Sequence, residues 1–152
     1  MFKKILFLSC LLAVLIIATF LIFFLSDAQN QTKVIKINGA EIKAEIAKTP
    51  IEQYRGLSGR DSLCGDCGML FIFPNKIERT FVMRDMLFPI DIIWIDDVKI
   101  VKIDKELPPP APGPLDLKKY KSGQPVNYVL EVNGGFCLEN DIREGDKVEY
   151  LK

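Results

Sequence analysis

Residues 5–25 are apolar, with only Ser9, Cys10 and Thr19 to dilute them. As a helix, a run of that length reaches about 30 Å, the hydrocarbon thickness of a bilayer. Lys3 and Lys4 precede the run, and the next basic residue is Lys33. That asymmetry keeps the N-terminus in the cytoplasm and sends the rest of the chain across the membrane. The expectation is a single-pass cell-membrane protein, anchored through residues 5–25, with an extracytoplasmic C-terminal domain. A cleaved signal peptide is the competing reading. Ser26-Asp27-Ala28 offers a small-x-small site, and cleavage near Ala28 would secrete the domain. Phe7-Leu8-Ser9-Cys10 comes too early to serve as a lipobox, so Cys10 reads as an ordinary membrane-helix residue. The chain divides into an anchor or signal segment (1–27), a linker (28–33) and a domain (34–152) long enough for one hydrophobic core.

The 20 Lys+Arg balance 20 Asp+Glu, and of these only Lys3, Lys4 and Asp27 lie in the first 28 positions. The domain is therefore near neutral. It lacks the basic surplus that displaces counterions from phosphates, and no nucleic-acid partner is expected. There is no histidine. That excludes a Ser-His-Asp triad, a Cys-His dyad, His-ligated metal and imidazole acid–base chemistry.

The domain reads mostly as strands. Residues 34–37 and 40–46 flank Asn38-Gly39, the signal of a type I′ hairpin turn. Thr49-Pro50-Ile51-Glu52 is a capping box with Pro at the first helical position, and Gly56 stops that helix after about two turns. Residues 68–73 predict a strand ended by Pro74, and residues 80–86 another closed by Pro89. Residues 91–96 and 98–103 predict a second hairpin, turning at Asp96-Asp97. Residues 128–132 and 147–151 are the last strands, with a helical turn at 136–141 between them. Residues 107–114 hold five prolines and predict a stiff extended connection, with a flap or a partner-docking segment as the alternative. About seven short strands and one or two short helices predict a mainly β fold, a small β-sandwich or barrel, preceded by the single N-terminal transmembrane helix.

Six motifs occur in order: Arg55-Gly56-Leu57-Ser58-Gly59-Arg60, Gly68-Met69-Leu70-Phe71-Ile72-Phe73, Phe81-Val82-Met83-Arg84-Asp85-Met86, Pro89-Ile90-Asp91-Ile92-Ile93-Trp94-Ile95-Asp96, Tyr128-Val129-Leu130-Glu131-Val132-Asn133-Gly134-Gly135 and Gly145-Asp146-Lys147-Val148. Together they resemble the DUF192 family over about residues 34–151. The resemblance implies a compact, mainly β domain, often exported behind a signal or anchor, and implies no particular reaction. Three departures stand out. Met83-Arg84-Asp85 replaces the family's usual Met-Lys-Asn, Cys137 follows Gly134-Gly135-Phe136 where a small residue is usual, and Cys64 and Cys67 are not usually both cysteine.

Candidate chemistry falls on two sets of residues. Cys64-Gly65-Asp66-Cys67 and the distant Cys137 are the thiols beyond the membrane segment. An oxidising compartment permits a disulfide, either Cys64–Cys67 or one of them with Cys137. Three cysteines with Asp66 would make an unusual zinc set without histidine. Zinc is the metal to consider, and no cofactor is otherwise expected. Thioredoxin-like redox chemistry needs the pair at a helix start, whereas a strand follows here. Free, incidental thiols are the remaining alternative.

The second set is Arg55, Arg60, Arg84, Asp85, Asp91 and Glu131. Arginine forks suit carboxylate or phosphate ligands, and a carboxyl in an apolar strand must find a partner or hold its proton. These residues either line a ligand cleft or pair internally, for instance Arg84 or Arg60 with Glu131. Strand alternation would place Phe81, Met83 and Asp85 on one face and Val82, Arg84 and Met86 on the other. Met69, Met83 and Met86, with Phe71, Phe73, Phe81 and Phe88, read as core, as does Trp94. A Met-rich groove is the alternative.

The expected function is a non-catalytic binding or accessory module of the cell envelope, with a small molecule or an envelope protein as partner. A small hydrolase or transferase using an Arg/carboxylate cleft is one alternative. A Cys-thiolate metal or redox protein is the other.

Overall fold

Asn38 and Gly39 adopt φ of 48° and 88°, the positive pair that a type I′ turn requires, and close a hairpin between β1 (Thr32–Ile37) and β2 (Ala40–Ala47). The structure is a computed structural model that describes residues 32–111 and 117–150, together with Ile17 and Thr19. The expected membrane segment and linker lie outside the described residues apart from those two and the linker's last two. Among the described residues no helix is long and apolar enough to cross a membrane. The chain comprises two compact units, Met1–Gln31 and Thr32–Lys152, and every strand among the described residues belongs to the second.

α1 (Pro50–Arg55) starts at the predicted capping box. The Thr49 hydroxyl accepts the Glu52 N–H at 3.3 Å, and the Glu52 carboxylate accepts the N–H groups of Lys48 and Thr49 at 2.8 Å each. β3 (Cys67–Val82), β4 (Ile90–Asp96), β5 (Lys99–Leu107) and β6 (Lys119–Asn133) follow, then α2 (Phe136–Glu139) and β7 (Val148–Tyr150). All seven strands join one sheet in the order β5-β4-β6-β3-β2-β1-β7. Only the β2–β3 pair is parallel, and α1 lies in its crossover.

The sheet curls until its two edges meet at one end. Lys99 bridges to Lys147, Ile100 N–H donates to Asp146 O at 3.0 Å, and Val148 N–H donates to Val98 O at 2.8 Å. The result is a half-barrel from a single sheet, not a two-sheet sandwich.

The central strands are buried on both faces. One face carries Ile35, Ile37, Ile42, Leu70, Ile93, Ile95, Leu130 and Val132, packed with Phe136 and Cys137 of α2. The other carries Met69, Phe71, Ile92, Trp94 and Val129, packed with Leu57, Met83 and Met86. Trp94 and the methionines are core, as the sequence predicts.

Several elements differ from expectation. Pro74 does not end a strand. β3 continues to Val82 because Pro74 falls where pairing with β6 lapses, between Ile72 and Ile77, and needs no ladder N–H there. β6 is likewise far longer than residues 128–132. Ser122 supports a second irregularity: its hydroxyl accepts Arg79 N–H at 3.0 Å and donates to Gln124 O at 2.7 Å. The predicted strand over 80–86 stops at Val82, and Asp85 turns with φ of 52°. Strand alternation therefore does not govern Arg84 and Asp85. Leu107 belongs to β5, and part of the proline-rich connection lies outside the described residues.

Asp91, fully buried near the start of β4, ties the sheet to its flanking loops. Its Oδ1 accepts Glu106 N–H at 2.7 Å and Gly135 N–H at 3.1 Å, and its Oδ2 accepts Cys137 N–H at 2.9 Å. Hydrogen bonds to a charged acceptor are stronger than neutral ones, and their loss orphans three main-chain donors. Asp91→Ala is expected to cost about 3–5 kcal/mol in urea unfolding followed by Trp94 fluorescence, and Asp91→Asn less. A loss below about 1 kcal/mol for Asp91→Ala would show that these bonds do not hold the fold.

Candidate functional site

A cleft of about 290 Å³ opens between α1, its following loop and β3. Gln53, Tyr54, Arg55 and Ser58 line one side, and Phe71, Phe73, Thr80, Phe81 and Val82 the other. Arg84 and Met86 border it, and Glu131 reaches it from β6. Gln53 Nε2 donates to Ile72 O at 2.9 Å, which pins α1 against β3. The Ser58 hydroxyl donates to Arg84 O at 2.8 Å, and Gly59 N–H donates to Asp85 O at 2.8 Å. Those two bonds join the loop after α1 to the turn after β3.

The walls are aromatic. Phe81 stands edge-on to Phe71 at 4.9 Å, to Phe73 at 6.5 Å and to Trp94 at 5.4 Å between ring centres. Arg84 lies over the Tyr54 ring at 3.8 Å and donates through Nη2 to Tyr54 O. Its side chain remains 28% exposed.

Glu131 is the one acid in this lining. It is 6% exposed, and its strand neighbours are Met69 on β3 and Ile92 on β4. Burial alone pushes its carboxyl up to about 8, so it carries its proton at neutral pH. A neutral carboxyl in an apolar cleft can donate a hydrogen bond or release a proton to a ligand.

The structure brings together only part of the polar set. Arg55, Arg84 and Glu131 share the cleft. Arg60 does not line it; its guanidinium grips both carboxylate oxygens of Glu45 at 2.6 and 2.8 Å, tying the loop to β2. Asp85 is 70% exposed on its turn, 3.9 Å from Arg84 Nε. Asp91 faces the opposite side of the sheet from Glu131, because Asp91 pairs with Val132 and Glu131 with Ile92. Glu131 pairs with neither Arg84 nor Arg60. Tyr54 and Thr80 carry no signal in the sequence that marks them as site residues. Phe71, Phe73 and Phe81 are expected there as core, or in a Met-rich groove, because their signal is the apolarity that core residues share.

The thiols separate. Cys64 and Cys67 form a disulfide, with Cα atoms 5.0 Å apart, that links an exposed loop to the first residue of β3. Cys137 is buried in the core, and burial and then Asp91 push its thiol far above the ordinary range. It is neither a third partner of the pair nor a ready thiolate. Cys64, Asp66 and Cys67 place one ligand atom each within 4.8 Å of one another, but a disulfide offers a metal no thiolate.

A family model, DUF192, described as Uncharacterized ACR, matches residues 33–150. A UPF0127 protein of Thermococcus gammatolerans is 26% identical over 114 residues, 70% of this chain; the match spans 65% of that relative's length, just under two thirds. The crystal structure of a protein of unknown function from Novosphingobium aromaticivorans is similar, with a TM-score of 0.73 and 31% identity, over 80% of this chain and 87% of that one. A candidate transcription regulator from Sinorhizobium meliloti 1021 gives a TM-score of 0.72 and 26% identity, over 80% of this chain and 95% of that one.

Two outcomes follow from this geometry. Alkylation of the native protein should leave Cys64, Cys67 and Cys137 unlabelled. Mild reduction should open the first two, and only unfolding should expose Cys137. The closed loop is short, so replacing the pair by serine should cost about 2 kcal/mol or less. Glu131 binds its proton more tightly folded than unfolded. Its contribution to stability therefore falls as pH rises from about 4.5 to about 8, then levels off. Comparing the unfolding free energy of Glu131→Gln with that of the native chain across this window isolates the effect. The variant should gain relative stability toward high pH, and a flat difference would mean Glu131 is not held neutral.

Proposed function

The chain belongs to the DUF192 family, and we propose that its β domain is a non-catalytic binding module of the cell envelope that holds a small ligand in the cleft around Glu131. The observation that carries this reading is a buried carboxyl without a compensating partner, in a cleft lined by aromatic side chains and two arginines. A chain gains no stability from leaving such a group uncompensated, and Asp91 shows how the same sheet satisfies a carboxylate when it serves the fold. Residues 5–25 anchor the module in the membrane, with the domain on the extracytoplasmic side.

A hydrolase or transferase built on Asp91, Glu131 and the arginines is less well supported. The two carboxyls occupy opposite faces of the sheet, so the cleft holds one acid and no second carboxylate to act as base or nucleophile. A zinc role for Cys64 and Cys67 would first need their disulfide reduced, and a redox role lacks the helix start that activates such a thiol, because Cys67 begins a strand.

The test is thermal unfolding of the full chain in lipid nanodiscs against a panel of small metabolites. A ligand at about 100 times its Kd stabilises the folded state by about 2.7 kcal/mol. A hit is expected to lose its shift in Arg84→Ala and to change its pH dependence in Glu131→Gln. Hits indifferent to both variants would place binding elsewhere and overturn the reading. Deleting residues 1–27 should move the protein from the membrane to the soluble fraction.

A further inference from the structure

We infer that the cleft takes a small aromatic carboxylic acid as its anion, with the ring against Phe71, Phe73 and Phe81 and the carboxylate toward Arg55 and Arg84. The inference rests on the ligand-binding reading above and names the chemistry of its ligand.

Size sets the first limit. The cleft measures about 290 Å³, whereas an apolar cavity of about 150 Å³ holds benzene. One ring with a short polar tail fills the remainder. A larger ligand would leave most of its surface outside, although good sites bury about 70–90% of it.

The wall sets the second limit. Phe81 already stacks edge-to-face with Phe71 and Phe73, and a further ring can extend that arrangement. A branched aliphatic body would gain burial without this geometry.

Charge sets the third limit. The charged or titratable groups lining the cleft are Arg55 and Tyr54 from α1, Arg84 from the turn after β3, and Glu131 from β6; β3 contributes none. The strands flanking Glu131 present Met69 and Ile92. Contact with Tyr54 O uses one N–H of Arg84 and the Asp85 carboxylate lies 3.9 Å from its Nε, which leaves the rest of the fork to meet a ligand. A carboxylate in the cleft therefore shares it with two arginines and with a carboxyl able to donate a hydrogen bond. An ammonium ligand would gain Glu131 as a counter-ion only by facing both arginines. A neutral alcohol would leave the arginine forks unused.

Glu131 gives the anion a specific pH signature. Arg84 and Glu131 line one cleft of about 290 Å³, so a bound carboxylate shares that space with Glu131. Once Glu131 ionises, like-charge repulsion at an effective dielectric near 20 weakens the anion about tenfold or more. The same ionisation strengthens a cation.

Three probes that share a ring decide the matter on the full chain in nanodiscs: phenylacetate, phenethylamine and 2-phenylethanol. Trp94, the sole tryptophan, stands edge-on to the cleft residue Phe81 and reports occupancy by its fluorescence. Thermal unfolding is the second readout. Phenylacetate is expected to bind at least about tenfold tighter than the other two and to weaken about tenfold between pH 6 and pH 9. Glu131→Gln should abolish that pH dependence, and Arg84→Ala should weaken binding at every pH. If the amine or the alcohol binds tightest, the acid inference is overturned while the ligand-binding reading stands. If none of the three binds, the acid inference fails, and the metabolite panel alone decides the broader reading.

Discussion

Where β4 and β6 run side by side they are apolar on both faces, and this two-sided burial holds the carboxyl groups of Asp91 and Glu131 almost wholly out of water. Asp91 and Glu131 stand on neighbouring strands, one residue out of step, and so face opposite cores. The sheet treats them differently. Asp91 receives three main-chain N–H groups, which hold the end of β5 and the start of α2 against β4. Glu131 receives none and keeps its proton instead. Similar burial thus yields a carboxyl fully engaged by main-chain N–H groups on one face and a neutral acid on the other. The difference lies in which loops reach each position.

The cleft above Glu131 is assembled from segments that owe their places to other contacts. The capping box starts α1, and Gln53 fixes it to β3. Arg60 clamps the next loop to Glu45, and Ser58 and Gly59 bind that loop to the turn carrying Arg84. The disulfide closes the loop at the start of β3. There Gly68 packs so closely on β6 that a Cβ would come within 2.9 Å of Glu131 O. These contacts preorganise the walls, so a ligand need not order a loop before binding.

Much of the fold was legible because its signals are local. Asn38-Gly39, the Thr49–Glu52 box, Gly56 and the alternation in β2 each act over a few residues, and all fold as read. The lengths of β3 and β6 were not legible. Pro74 and Pro125 are strand breakers by propensity, and they are tolerated only because they fall at irregular places in the β3–β6 ladder. The turn at Asp85 was hidden for a similar reason: apolar residues on both sides of Arg84-Asp85 read as a continuing strand, and both Met83 and Met86 are core.

The site divides the same way. From the sequence came the short list containing Arg55, Arg84 and Glu131, together with the exclusion of histidine chemistry and the Cys-x-x-Cys pair. Those depend only on which residues exist and on their spacing. The tertiary structure alone decided that Arg60 and Asp91 are structural, that Cys137 is locked in the core, and that aromatic residues read as core also line the cleft. Whether a buried polar group is satisfied depends on partners that the chain brings from 15 to 46 residues away, and no local pattern records which of them arrive.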